Sequence, residues 1–391
     1  MWAAEDGYIN TINTALYAGS AGVVLFCLEA YHRSGDKKQL QLATEAADFL
    51  ANTLPDNLDT TNDESGGLYT GIAGIGFALS ETYKIIKEEK YRIAFLQCIR
   101  LLQNALTAEG DKIHYGSSTD IISGNAGIGL FWLYAYNETG DDKLKQTAAQ
   151  TGNWLIAKGI ADSAGFAWKI NDDMKIELPN FSHGTAGVSY FLSKLFETTK
   201  EKKFLDAALA GGHYLQSIKA ENEMICHNTG STGKDLFYVS WCHGPPGTAR
   251  LYYQLWQLTK DEKWKNAILK MASSLMEIGI PEKRTPGYWN NISQCCGNAG
   301  IAEFYLSMYK IFGDKKYVSF ADKMINDILQ RSTSATATVK WIQAENRTQS
   351  GNLKTQTGYM QGAAGVGMLL LHRQAIDAGK QPQIRFPDAP Y

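Results

Sequence analysis

The chain has 391 residues, 44% of them hydrophobic and 20% charged, and a formal net charge of -2. Lysines and acidic residues are mixed in short turns with no basic run, which argues against nucleic acid and anionic membrane surfaces as partners. No apolar stretch reaches the roughly 18–20 residues of a membrane span, and Met1-Trp2-Ala3-Ala4-Glu5-Asp6 has neither the basic start nor the apolar core of a signal peptide, so a cytoplasmic protein is expected.

In chain order, the first predicted element is a helix from Trp2 to about Leu16. A Gly-x-x-Gly frame follows at Gly19/Gly22 and recurs at Gly71/Gly74, Gly124/Gly127, Gly184/Gly187, Gly244/Gly247, Gly297/Gly300 and Gly362/Gly365. Successive first glycines are 52, 53, 60, 60, 53 and 65 residues apart. Such spacing marks a repeat architecture. The first six frames lead to a charged turn, such as Gly35-Asp36-Lys37-Lys38 or Lys260-Asp261-Glu262-Lys263, and then to a large residue: Leu40, Tyr91, Leu144, Phe204, Trp264 or Tyr317.

Each unit therefore reads as two helices. The run after the glycines, for example Ile128-Gly129-Leu130-Phe131-Trp132-Leu133-Tyr134, is apolar nearly all round, as in a helix buried on both sides. After the turn the pattern is amphipathic, with Leu144, Ala148, Thr151 and Leu155 on one face. The glycines are expected to allow close backbone approach and unusual φ values, with free helix N-terminal N–H groups facing the common centre.

The seventh unit has an inner helix from Gly365 to about Ala375 but no outer one before Pro382 and Pro387. The helix from Trp2 can supply it. The expected fold is thus all-α: one domain over residues 1–391, a closed α/α toroid of seven inner and seven outer helices, with its glycine loops around one mouth. Short β-hairpins are expected over that mouth, at Phe166 to Leu178 with a turn at Asn171-Asp172-Asp173, and as a strand at Val339-Lys340-Trp341-Ile342.

The residue before each first glycine faces the mouth: Ala18, Thr70, Ser123, His183, His243, Cys296 and Gln361. One position earlier stand Tyr17, Tyr69, Ile122, Ser182, Cys242, Cys295 and Met360. The first three units offer little chemistry; units four to six concentrate it. Cys242, Cys295 and Cys296 occupy equivalent loop tips on neighbouring units and can converge on one ion. Three thiolates favour zinc over magnesium or calcium, and leave the fourth tetrahedral position of a catalytic site open. The competing reading is three buried thiols without a ligand. Cys27 and Cys98 lie in apolar helical runs and read as core thiols.

His183 suits a general acid or base near neutral pH, against the reading of a loop histidine bonded to backbone. His243 is a candidate catalytic or supporting group, or a fourth ligand. Asp120, four residues before Gly124, either orients a histidine or caps its own turn. His32, His114, His213, His227 and His372 lack such context and read as structural or surface residues.

Trp241-Cys242-His243-Gly244, Cys295-Cys296-Gly297, Ser182-His183-Gly184-Thr185-Ala186-Gly187 and Asp120-Ile121-Ile122-Ser123-Gly124 together make the chain resemble the lanthionine synthetase C-like cyclases over essentially its whole length. The resemblance implies an α/α toroid with one catalytic zinc, closing thioether rings in a dehydrated precursor peptide. Eukaryotic relatives add glutathione to dehydroamino acids. By the family pattern a substrate thiolate on zinc attacks the β-carbon of dehydroalanine or dehydrobutyrine, His183 protonates the enolate at Cα, and Asp120 supports that transfer. Many relatives have His where Cys296 stands, nisin-type cyclases often have Arg at the position of Tyr238, and the spacings leave no room for an inserted subdomain. The toroid uses up the chain, so a separate dehydratase is the expected partner, in a peripheral biosynthetic complex. The rival readings are intermolecular thiol addition of the glutathione kind and a toroidal interaction scaffold.

Overall fold

Every Gly-x-x-Gly frame starts a helix, and all seven helices have the same length. The structure, a computed structural model, describes residues 13–161, 163–284, 288–289, 291–335 and 338–391. The inner helices are α1 (Ser20–Ser34), α3 (Ile72–Ile86), α5 (Asn125–Thr139), α7 (Thr185–Thr199), α9 (Pro245–Thr259), α11 (Asn298–Phe312) and α13 (Ala363–Asp377), 15 residues each. The outer helices are α2 (Lys37–Asn52), α4 (Glu89–Asn104), α6 (Asp142–Lys158), α8 (Lys202–Ile218), α10 (Glu262–Glu277) and α12 (Lys315–Gln330).

The charged turns are built from two caps. Each of the first six inner helices ends on a left-handed residue: Gly35, Gly140 and Gly313, or Lys87, Lys200 and Lys260 with φ of 65, 62 and 58°. The next residue caps the outer helix. The carboxylates of Asp36, Asp141, Asp261 and Asp314 accept the amide two residues on at 2.9–3.0 Å. The large residue beyond then points inward: Tyr91, Leu144, Phe204, Trp264 and Tyr317 are all buried, and Leu40 partly so.

The inner helices close a ring. α1 packs on α3, α3 on α5, α5 on α7, α7 on α9, α9 on α11, α11 on α13, and α13 returns to α1. Each outer helix packs on the inner helix before it. The expected helix from Trp2 lies outside the described residues up to residue 12, and residues 13–16 form loop and turn rather than helix.

The chain after α13 enters the centre of the ring, which the sequence did not suggest. The amides of Gln383 and Ile384 donate to Glu29 of α1, each at 2.9 Å. Phe386 stacks on Tyr359 and lies beside Phe77 of α3, with centroids 4.5 and 5.5 Å away. Asp388, fully buried, pairs with Arg250 of α9 at 2.9 Å and accepts the Trp241 indole N–H at 3.3 Å. Contacts with α1, α3 and α9 on different sides place this segment in the lumen, beneath the loop that carries Cys242.

Irregular segments between outer and inner helices carry short strands: β1 (Thr107–Glu109) with β2 (Lys112–His114), β3 (Ile160–Ala161) with β4 (Phe166–Ala167), β5 (Phe237–Tyr238) parallel to β6 (Tyr288–Trp289), β7 (Ser332–Ala335) with β8 (Thr338–Trp341), and β9 (Gln343–Ala344) with β10 (Leu353–Lys354). The strand expected at Val339–Ile342 is present as β8. The hairpin expected from Phe166 to Leu178 is not. Trp168 is fully buried with its indole N–H on Leu155 O at 2.7 Å, and Thr119 takes the carbonyls of Lys169 and Ile170. Those anchors to other elements remove the partners a local hairpin needs.

Candidate metal centre

The seven glycine loops are tied to one another by backbone hydrogen bonds that run full circle. Tyr17 N donates to Tyr69 O, Tyr69 N to Ile122 O, Ile121 N to Ser182 O and Ser182 N to Cys242 O. Cys242 N donates to Cys295 O, Cys295 N to Met360 O, and Met360 N back to Tyr17 O. The distances are 2.8–3.3 Å. This belt holds Cys242 and Cys295 side by side although they are far apart in the chain.

The glycines serve this belt by close approach rather than by unusual φ. Gly297 has φ -132° and Gly184 φ -159°, both on the negative side. A Cβ on Gly184 would lie 1.3 Å from Leu178 O, and one on Gly297 2.1 Å from Asn291 O. The helix N-terminal amides are also not free. Asn298, Ala299 and Gly300 donate to the carbonyls of Asn291, Ile292 and Ser293, as the loop folds back over the helix start. Unit three repeats this: Asn125, Ala126 and Gly127 donate to Ser118, Thr119 and Asp120.

Cys242, Cys295 and Cys296 converge: their sulfurs all lie within 4.8 Å of one another. Cys242 Sγ is 3.3 Å and Cys295 Sγ 3.5 Å from Cys296 Sγ, and none is disulfide-bonded. A tetrahedral zinc with Zn–S bonds of about 2.3 Å holds its sulfurs about 3.8 Å apart, and both contacts of Cys296 lie within about half an ångström of that spacing. Burial, reinforced by hydrogen bonding to Cys295 and Cys296, pushes the Cys242 thiol well above its ordinary value. A bound cation is what would favour its thiolate form.

His183 and Asp120 meet at the same mouth. His183 Nδ1 lies 2.5 Å from Asp120 Oδ2, while Asp120 Oδ1 accepts the amides of Ser123 at 2.9 Å and Gly124 at 2.7 Å. Asp120 thus does both things its sequence context allowed: it caps its turn and orients a histidine. Burial works against the His183 imidazolium, but the hydrogen bond and charge of Asp120 outweigh it, with a smaller contribution from Cys296. The net effect raises the His183 pKa above its ordinary value. The ring remains 35% exposed towards the mouth, and Asp120 only 1%.

His243 sits between these groups without joining the thiol cluster. Its Nε2 faces Ser182 Oγ at 3.4 Å and its centroid is 5.8 Å from His183. Burial, with His227 and His183 adding to it, holds His243 well below the ordinary histidine value, which makes it neutral at pH 7. His227, whose sequence context marks it as structural or surface, is brought into the site. It stacks on Tyr238 at 4.5 Å and meets His243 edge-on at 4.4 Å. It comes from an irregular segment with no periodicity to reveal it. His114 and His213 stack on Trp154 and Trp264, His372 bonds Glu303 at 2.8 Å in the lumen, and His32 is exposed. Tyr17 and Gln361, from units one and seven, also reach the thiols: Gln361 Nε2 lies 3.0 Å from Tyr17 Oη and 4.0 Å from Cys296 Sγ, and the Tyr17 hydroxyl bonds Cys295.

Among known proteins, the chain is similar to lacticin 481/lactococcin biosynthesis protein LcnDR2 of Lactococcus lactis subsp. lactis, 21% identical over 81% of this chain and 32% of that protein. It therefore spans about a third of that relative's length. It is 26% identical to glutathione S-transferase LANCL1 of Danio rerio, over 79% of this chain and 74% of the other. Among solved structures, nisin cyclase superposes with a TM-score of 0.72 at 16% identity, covering 97% of this chain and 92% of that one. An alpha-1,6-mannanase from Salegentibacter sp. reaches 0.52 at 12% identity, over 91% and 99%. These likenesses show a common fold, and a wider class of helical toroids. The family model described as lanthionine synthetase C-like protein matches residues 11–386; the chain belongs to the lanthionine synthetase C-like family.

Proposed function

We propose that this protein is a zinc-dependent cyclase that adds peptide cysteine thiols to dehydroalanine or dehydrobutyrine, forming lanthionine-type thioether rings in a dehydrated precursor peptide. The observation that carries the reading is the pairing, at one mouth, of three convergent thiols with a histidine held by a buried aspartate. Cys242, Cys295 and Cys296 would hold one zinc per chain and leave a fourth position for a substrate thiol. Zinc there supplies Lewis acidity, lowering the pKa of a bound thiol so that it is a thiolate at neutral pH.

The chain's own groups account for the remaining steps. Asp120 fixes the His183 tautomer and orientation, leaving Nε2 directed away from the carboxylate and available to substrate. The raised His183 pKa favours its imidazolium form, which carries the proton for delivery to Cα once the thiolate has attacked the β-carbon. His243, buried and neutral, supports the site by packing beside His183 rather than by carrying charge. The dehydrated peptide would be supplied by a dehydratase, which makes dehydratase activity the expected companion of this domain in a biosynthetic complex. No helix among the described residues is long and apolar enough to cross a membrane; a cytoplasmic location is the reading consistent with thiol chemistry.

The test is mass spectrometry of dehydrated peptide incubated with the zinc-loaded protein. Ring closure leaves the peptide mass unchanged while removing thiols available to alkylation. The similarity to a glutathione S-transferase supports a second reading, addition of glutathione to a dehydroamino acid, which raises the mass by one glutathione. Neither change with a competent substrate would leave a toroidal scaffold as the better account.

A further inference from the structure

If three protein thiolates share a zinc with a substrate thiolate, four sulfurs stand beside an electrophile that is meant for one. This rests on the cyclase reading. Attack by a ligand sulfur on the dehydroamino acid would form a C–S bond at the β-carbon and convert the C=C bond to an enolate. Protonation at Cα would then leave a stable adduct on the enzyme and a lost ligand. The three ligands are not equally hidden. Cys242 is 2% exposed, Cys295 5% and Cys296 9%.

The two more accessible thiols are the two that receive hydrogen-bond donors from outside the cluster. The Tyr17 hydroxyl donates to Cys295. Gln361 Nε2 has one hydrogen directed to Tyr17 Oη at 3.0 Å and another available to Cys296 Sγ at 4.0 Å. The amide thereby polarises the hydroxyl that bonds Cys295. A donor on a thiolate withdraws electron density from it and lowers its nucleophilicity. Ring closure puts both residues here, because units one and seven meet at the seam next to unit six.

We propose that Tyr17 and Gln361 shield the ligand thiolates of Cys295 and Cys296 from alkylation, so that the incoming thiol is the one that reacts. Their task is to direct reactivity, not to hold the metal.

The experiment uses the full zinc-loaded chain and iodoacetamide, which alkylates sulfur with loss of iodide. Tyr17→Phe removes only the hydroxyl, and Gln361→Leu keeps the approximate volume while removing the amide. Peptide mapping follows alkylation of all three cysteines over time, beside zinc content and melting temperature. The expected result is about tenfold or greater acceleration at Cys295 in Tyr17→Phe, and at Cys296 and Cys295 in Gln361→Leu, with zinc retained and Cys242 unchanged. Rates at Cys295 and Cys296 that match wild type, or that rise in step with Cys242 as general loosening would cause, overturn the proposal while leaving the cyclase reading intact. Loss of zinc from Tyr17→Phe would make its hydroxyl a metal-retention group and overturn it too. Wild type that binds no zinc removes the cyclase reading itself, and the proposal with it.

Discussion

His183 Nδ1 lies 2.5 Å from Asp120 Oδ2 across 63 residues of sequence, and it is the loop belt, not local structure, that brings them together. Asp120→Asn keeps a group able to bond the ring but removes the charge. The His183 pKa should fall, and the rate limb that depends on its protonated form should move to lower pH. His183→Ala should slow cyclisation by about 10²–10⁴, the range for a general acid, without loss of zinc. A pH–rate profile of the two variants beside wild type checks both.

The same pair predicts a pH-dependent stability. His183 has a raised pKa in the folded protein, so it binds its proton more tightly there than when unfolded. Its contribution is complete below the unfolded value of about 6.5 and disappears as pH rises through the folded one. Asp120→Asn should therefore lower the urea midpoint more at pH 5.5 than at pH 9. Equal losses at both pH values would count against a charged pair.

Metal content separates the cysteines. Wild type should hold about one zinc per chain after gentle purification. Cys295→Ala and Cys296→Ala should each lose it, since two thiols remain. Cys27→Ala should not, because Cys27 is a buried thiol of α1 and not a member of the convergent cluster. Elemental analysis of the four proteins is sufficient.

Two glycines distinguish close approach from backbone conformation. Gly297→Ala places a Cβ 2.1 Å from Asn291 O, so the loop bearing Cys295 and Cys296 must shift. Gly313 has φ 72° with nothing near its Cβ position, so alanine there costs only left-handed strain, about 1–2 kcal/mol. Both variants should be less stable, but only Gly297→Ala should weaken zinc binding in a chelator competition.

The lumen segment gives a stability test far from the thiols. Asp388→Ala leaves the partly buried Arg250 without its carboxylate and Trp241 without its acceptor. Breaking a buried pair from one side costs about 3–5 kcal/mol, and with Arg250 partly exposed and still bonded to the residue 388 carbonyl the loss should fall at or below the lower end of that range. Chemical denaturation should show a loss of about 2–3 kcal/mol.

The parts of this site legible in the sequence are those encoded by the repeat. Cys242, Cys295 and Cys296 could be grouped because they hold equivalent positions against glycines that recur in register, and His183 and Asp120 belong to the same frame. The helices and caps were legible because the turns are local: a left-handed residue, a capping aspartate, a large side chain. His227 was not, because it lies in a segment whose course is set by contacts with other elements. Tyr17 looked inert because it stands in the unit farthest along the chain from the cysteines. In a ring that unit is two steps from Cys296 the other way round. The lumen segment has no periodicity, and its partners Glu29, Phe77 and Arg250 are scattered over three units.

The circle of backbone hydrogen bonds also changes how the molecule should come apart. An open stack of repeats has end units with one neighbour, and these fray first. A cycle has no such units, and releasing any one of them means severing two junctions together. Opening at an apparently idle position such as Tyr69 then disturbs the same closed circuit that seats Cys242 and Cys295. Hydrogen exchange should reveal this as a common protection factor for the amides of Tyr17, Tyr69, Cys242, Cys295 and Met360, with no graded loss towards either side of the α1–α13 seam.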